Sequence, residues 1–570
     1  MPTMAKPGLL AAFLLLTVGA APSGTSSPHW PSPGARSAAG AHAVAPAKFS
    51  KPRLPTRRMA AHRPTAAAGR AQIPTATRTN NAVFNGLNKP GMSSSDNGVF
   101  QSSPPDTTGS IGPNHYVETI NSVIGVYNRS DLTPVLNAKA SFNVWLQTGG
   151  TPFSLPLCDP QIQWDESSQR WLYVVLECNF GLDTFLYGWS KTPDPSDLVN
   201  GWCRFSVSTP GVLSDYPKLG HSSNYMLVGT NNYSDAGLHN FVTAQITWMQ
   251  TPAPGVTSCT APVVGMTNGS ALNPLRNGDG TTFTSTPVPV NTTGNAANGY
   301  VISAYDAFGN GPPGVPQNKL TVFHLDSGGG FHLDGDLSVT TYAIPSPAPN
   351  PGGSVGIGID TLDGRLTQAV GDPTTGIYTQ HTVQNGTSNR SKVTWYEIQV
   401  ASSVPTLTQQ GDISSTTDYV FNGAISPRGD GKGAVIFYNR VNGSTDPVIA
   451  TQGRMVTTAL GQMDPGEIVL ATSTGGDADF TCGYPNGTTT APCRWGDYAG
   501  ASADPLYANV VWGSNQALSA SLPGGNPNWV TQNFAIAGPT FRTPAAQSTP
   551  RPTPTRGPVN PGPTPTPGIR

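Results

Sequence analysis

The sequence predicts an all-β protein: a single β-propeller of seven blades, six being possible, with disordered N- and C-terminal segments. Three observations predict it. Between about residues 81 and 540 there is almost no helical periodicity, and short β-branched and aromatic runs alternate with Gly, Pro, Asn and Asp. Glycine and proline are abundant, at 65 and 56 residues of 570, while only 11% of residues are charged. One phrase, an Asp or Asn leading a short strand, a polar turn and a second strand, recurs at intervals of tens of residues. All-β repeats of that period suit four-stranded blades around a channel.

The first element is a targeting segment, residues 1–21. Lys6 supplies the positive end, Leu9 to Val18 the apolar run, and Val18-Gly19-Ala20 the small residues for cleavage after Ala20 or Ala21. The run is too short to span a bilayer, and no later run is long enough, so no membrane span is expected. No cysteine precedes Cys158, which excludes a lipobox anchor. The expected location is therefore secreted or cell-surface.

Residues 22–80 read as a disordered basic Ala/Pro-rich leader, and 541–570 as a Pro/Thr-rich disordered tail. Residues 1–80 hold three Lys, seven Arg and no acid; residues 541–570 hold four Arg and no acid. The body is left with 17 basic residues against all 32 acidic ones. Basic arms invite a nucleic-acid reading, but these lack the aromatic residues on which bases stack, so no nucleic-acid partner is expected.

Six cysteines in an exported chain suggest disulfides. Cys158 and Cys178 flank a hairpin whose turn signal, "ESSQ", lies near their midpoint, which brings the two opposite each other. Cys482 and Cys493 bracket a loop they could staple, and Cys203 with Cys259 follows by elimination. No two cysteines have zinc-ligand spacing, so no metal site is assigned.

Within the body, residues 81–540, the clearest strands are "HYVETINSVIGVYN", "RWLYVVLE", "YMLVGTNNY", "FVTAQITW", "GYVISAYD", "KLTVFHL", "KVTWYEIQV" and "AVIFYNRV". The repeated phrase places Asp106, Asp159, Asp215, Asn422 and Asp497 at equivalent points, with weaker copies near 279–305 and 360–380. The last strand, "WVTQNFAIAG", could close the ring against a strand from the N-terminal side.

The phrases "PPDTTGSIGPNHYV", "DYPKLG", "SKTPDPSDLVNGW" and "CRWGDYAGASADP" resemble a group of secreted bacterial β-propeller proteins of sialidase-like fold. The resemblance runs in order over roughly residues 100–538 and implies fold and export, not a reaction. The arginine cluster, the Phe-Arg-Ile-Pro motif and the unbroken Asp-boxes of sialidases proper are not matched.

The most tempting stretch is "RWGDYAG". A residue needed once for catalysis has no reason to recur in every blade, whereas a structural one does. Asp106, Asp159, Asp215 and Asp497 are therefore read as strand-capping carboxylates, with Arg494, Tyr498 and Asn422 as candidate partners. The alternative places these acids around the channel mouth, binding a cation or sugar. "HLDGDL" and "RNGDG" echo calcium loops but lack the spaced ligands and closing Glu, so calcium is the single cofactor kept open. "RGD", Arg428 to Asp430, falls where the repeat requires a turn. No zinc-protease motif, nucleophile elbow or phosphate loop occurs.

These readings predict a monomeric, non-enzymatic recognition module for an extracellular glycan or protein, acting through loops around the channel mouth. The alternative is a carbohydrate-active enzyme, a glycoside hydrolase or lyase, using channel carboxylates in pairs. No catalytic residue is assigned.

Overall fold

A computed structural model describes residues 47–49, 84–98, 100–147, 157–178, 181, 183–234, 240–267, 274–305, 316–353, 358–402, 404–482, 492–520 and 527–537. The segments expected to be a targeting signal and a tail, and most of the expected leader, lie outside these residues. Within the leader, Ala47–Phe49 pairs in parallel with Phe100–Ser102.

The strands of the body sort into seven antiparallel four-stranded units. Their first strands are Thr108–Ile111, Leu157–Asp165, Val212–His221, Val288–Thr292, Leu366–Asp372, Tyr419–Pro427 and Gly500–Ala503. Each first strand touches the first strand of the next unit, and Gly500–Ala503 touches Thr108–Ile111. The third, fourth and fifth pair directly in parallel, through His221 with Asn291 and Val290 with Ala369. This is a β-propeller: a ring of sheets with the first strands innermost.

Two chain ends close the ring. The last unit consists of Gly500–Ala503, Val510–Leu518, Trp529–Ala537 and, as its outer strand, Phe84–Ser93. At the seam, a Cβ on Gly500 would lie 2.6 Å from the Gly109 nitrogen, so only glycine permits the approach. Tyr116 of the first unit stacks on Trp512 of the last, with centroids 5.6 Å apart. The stretch "HYVETINSVIGVYN" is two strands, His115–Ile120 and Val123–Asn128, because Asn121 and Ser122 form a tight turn in which Ser122 has φ 80°.

Apolar side chains fill the gaps between neighbouring units. Leu172, Leu176 and Phe205 of the second pack against Leu219, Met226 and Val228 of the third. Val288, Ile302 and Leu320 of the fourth meet Ala369, Ile377 and Tyr396 of the fifth. Ile111, Tyr116 and Tyr127 of the first meet Val510, Trp512 and Ala535 of the last. This is the buried face that the alternating strand pattern encodes.

All three disulfides form as the spacing suggests. Cys158–Cys178 ties the start of one first strand to its neighbour. Cys203–Cys259 links the outer strand of the second unit to a loop of the third, and Cys482–Cys493 closes the segment before the last unit. Among the described residues, no helix is long and apolar enough to cross a membrane.

The seam generates one prediction. Removing residues 1–93 deletes the outer strand of the last unit, bares an edge and uncovers Trp529–Ala537. Thermal melts by circular dichroism should show a Tm lower by 10 °C or more, or no cooperative transition, whereas removal of residues 1–46 should leave Tm unchanged. Equal Tm for all three chains would contradict this closure.

Candidate functional site

The repeated Asp/Asn phrase has a local cause. Where the phrase falls in the first strand, the backbone turns left-handed: φ is 44° at Asp106, 52° at Asp159, 55° at Tyr216, 45° at Thr286, 68° at Leu362 and 48° at Asn422. Strand register slips at the same places, between Cys158 and Gln161, Asp215 and Lys218, and Phe421 and Ala424. In these three units the phrase is a β-bulge, which re-aims a side chain. In the third unit the left-handed residue is Tyr216, and Asp215 lies one position before it, paired with Asn231.

Asp106, Asp159 and Asp497 come together in one buried cluster where the first strands begin, with exposures of 2%, 1% and 5%; Asp497, unlike the other two, does not have the left-handed backbone. Asp106 accepts the Asp497 N–H at 2.7 Å and the Asn121 amide at 2.7 Å. Asn121 in turn accepts the Asp159 N–H at 2.9 Å. Arg494 donates to Asp497 at 3.0 Å, Tyr216 OH donates to the Asp497 carbonyl, and Tyr498 OH to the Pro160 carbonyl. Asn422 lies apart, bonded to Asn439 and Asn515. Trp495 packs edge-on against Phe421 and donates to Asn439.

Among these acids lies a lysine that the sequence reading passed over. Lys218 is buried, and its Nζ lies 3.4 Å from the Tyr498 ring centroid and 3.8 Å from that of Tyr216. It makes no hydrogen bond. Burial holds its amine well below the usual range, opposed by the charges of Asp159, Asp497 and Asp106. Burial, then the charges of Asp497 and Asp159, push Asp106 up to about 8 despite Arg494. None of these residues is among those lining the cavity at the other end of the ring.

The open cavity is at the opposite end of the ring, where the first strands finish. It encloses about 360 Å³ and takes residues from all seven units, among them Ser110, Trp164, His221, Asn291, Asp372, Arg428 and Ser502. Its rim is the set of turns leading to the second strands, including Glu166 and Gly294. Several buried polar atoms here have no hydrogen-bond partner: His221 Nδ1, Asn291 Oδ1, Trp164 Nε1 and Arg428 Nε. Burial keeps the His221 pKa low, against the pull of Asp165, whose Oδ1 is 3.5 Å from Nδ1. Asp165 accepts from Ser167 N–H and the Ser168 hydroxyl.

The remaining sequence candidates are occupied by the fold. Arg428 is buried and bonds Asp430 at 2.7 Å, so "RGD" forms cavity wall rather than an offered tripeptide. In "RNGDG", Asp279 accepts from Thr281 and Thr282. In "HLDGDL", Asp334 bonds His324 while Asp336 bonds Tyr305, Thr321 and the Gly278 N–H.

No family model matches the chain, and no curated protein matches it. Solved structures with some likeness include a neuraminidase-like protein of a little yellow-shouldered bat isolate from Guatemala. It is 9% identical over 65% of this chain and 100% of that one, with a TM-score of 0.33. A neuraminidase-like protein of a flat-faced bat isolate from Peru is 7% identical over 68% and 94%, with a TM-score of 0.33. The Synechocystis apocarotenoid oxygenase is 10% identical over 64% and 74%, with a TM-score of 0.33. Likeness this slight carries no argument about activity.

Two predictions follow from the buried cluster. Lys218→Met takes the amine out from among three buried acids and the rings of Tyr216 and Tyr498 and should cost about 3–5 kcal/mol in urea denaturation; a cost under about 1 kcal/mol would contradict the arrangement. Burial and neighbouring carboxylates push Asp106 up to about 8 in the folded state, whereas in the unfolded chain it ionises near the ordinary carboxylate value of 3.8. Its contribution is therefore full below that value and lost as pH rises toward 8. The wild type should lose stability relative to Asp106→Asn across that window, and parallel profiles would refute the assignment.

Proposed function

We propose that this protein is a non-enzymatic recognition module, exported from the cell, that binds a terminal sugar of a glycan in the cavity where the first strands finish. The observation that carries the reading is the cavity wall itself: every unit contributes to it, and four of its buried polar atoms lack partners. A buried polar atom left unpaired costs about 1–3 kcal/mol, which a ligand rich in hydroxyl groups recovers. The volume, about 360 Å³, lies in the range of small-molecule sites and suits one or two sugar rings. Trp164 adds an aromatic wall. Three disulfides fit an oxidising, extracellular setting.

A second reading, a glycoside hydrolase or lyase, is favoured by one observation. Glu166 lines the cavity, and partial burial together with the neighbouring Asp165 raises its pKa, as a general acid requires. Against it, Asp430 and Asp504 are held by Arg428 and Arg129, and the clustered Asp106, Asp159 and Asp497 do not line the cavity.

A glycan array followed by calorimetric titration tests the first reading. Binding should weaken at least tenfold in Asn291→Ala with Tm unchanged, and a fluorogenic-glycoside screen should show no turnover. Turnover abolished by Glu166→Gln would install the second reading, and binding untouched by Asn291→Ala would move the site elsewhere.

A further inference from the structure

The charges of the cavity say which sugar it suits. Four acids line it, Glu166, Asp372, Asp430 and Asp504, against one arginine, Arg428. Arg428 is tied to Asp430, and Asp504 is tied to Arg129, which reaches it from outside the lining. The Glu166 carboxylate has no hydrogen-bond or ion-pair partner among the described residues, while its backbone carbonyl accepts from Gln169. Asp372 uses Oδ1 for the Thr374 N–H and hydroxyl, leaving Oδ2 toward Gly294.

Asp372 and Ser167, the residue after Glu166, both approach one turn. Ser167, next to Glu166, donates to the Gly294 carbonyl at 3.5 Å and the Asn295 side chain at 3.1 Å. Asp372 Oδ2 lies 3.1 Å from the point a Cβ on Gly294 would occupy. The same part of the wall carries Asn291 Oδ1, buried and without a hydrogen-bond partner among the described residues, beside His221, which faces Asp165, in parallel strands through the His221–Asn291 pairing. This wall therefore presents acceptors and uncompensated negative charge. A sugar acid would meet two free carboxylates and no free cation, whereas an ammonium would complete the charge balance.

We propose that the cavity selects a sugar with a free amino group, a terminal hexosamine whose ammonium is drawn to the carboxylates of Glu166 and Asp372 and one of whose hydroxyls donates to Asn291 Oδ1. The inference rests on the sugar-binding reading above and adds the charge of the ligand to it.

The test is calorimetric titration of the full chain with a β-linked glucosamine trimer, its fully N-acetylated counterpart, sialyllactose and trilysine. The free-amine trimer should bind at least tenfold more tightly than the acetylated one at low salt, and the preference should shrink as salt is added. Sialyllactose should not bind. The double variant Glu166→Gln/Asp372→Asn should bind both trimers equally while keeping the wild-type Tm. Equal affinities in the wild type, or a preference that survives in the double variant, would overturn the proposal and leave the sugar reading intact. Binding of trilysine as tight as the free-amine trimer would overturn it in favour of a cationic peptide. Failure of every saccharide would remove the sugar reading together with it.

Discussion

The structure depends on neutralising carboxylates packed where the first and last units meet. Asp106, Asp159 and Asp497 come from three different units and are all buried. Like charges this close raise one another's pKa unless cations and N–H donors answer them. Here Arg494, the Asp497 N–H and the Asn121 amide answer part of the charge, burial and the remaining repulsion push Asp106 up to about 8, and the bond from the Asp497 N–H to Asp106 joins stretches of chain far apart in sequence. The cluster therefore joins the end of the chain to its beginning from the inside, as the pairing of Phe84–Ser93 with Trp529–Ala537 joins them from the outside.

That arrangement divides the labour between the two ends of the ring. Where the first strands begin, the bulges turn polar side chains inward and they bond to one another. Where the first strands finish, the turns differ in length and sequence, and their side chains leave a cavity with unpaired polar atoms. A rigid ring with variable turns at one end is the usual setting for a binding site on a scaffold.

The fold was legible because the bulge needs the same chemistry each time. An Asp, Asn or pre-proline residue in a left-handed conformation, followed by a strand, leaves a phrase that survives in the sequence, as at Asp159 and Asn422. The phrase misled by one residue at Asp215, because Tyr216 occupies the left-handed position and the Asp beside it drew the alignment. Lys218 went unnoticed inside "DYPKLG", since a lysine in a strand reads as a solvated face until the rings of Tyr216 and Tyr498 are seen to enclose it. The cavity was not legible at all. Glu166, His221, Asn291 and Asp372 come from four units, are of four residue types and follow no common spacing. The available signal was positional: each stands at or just past the end of a first strand, opposite in direction from the phrase that caught attention.

The account's central claim is that the clustered aspartates hold the ring together while the cavity at the other end holds the ligand. A crystal structure of the full chain soaked with the saccharide it binds most tightly tests this most directly. The account predicts sugar density against Asn291, His221 and Trp164, with Asp106, Asp159 and Asp497 unmoved. Density among those three aspartates, with Lys218 displaced to admit it, would contradict the account.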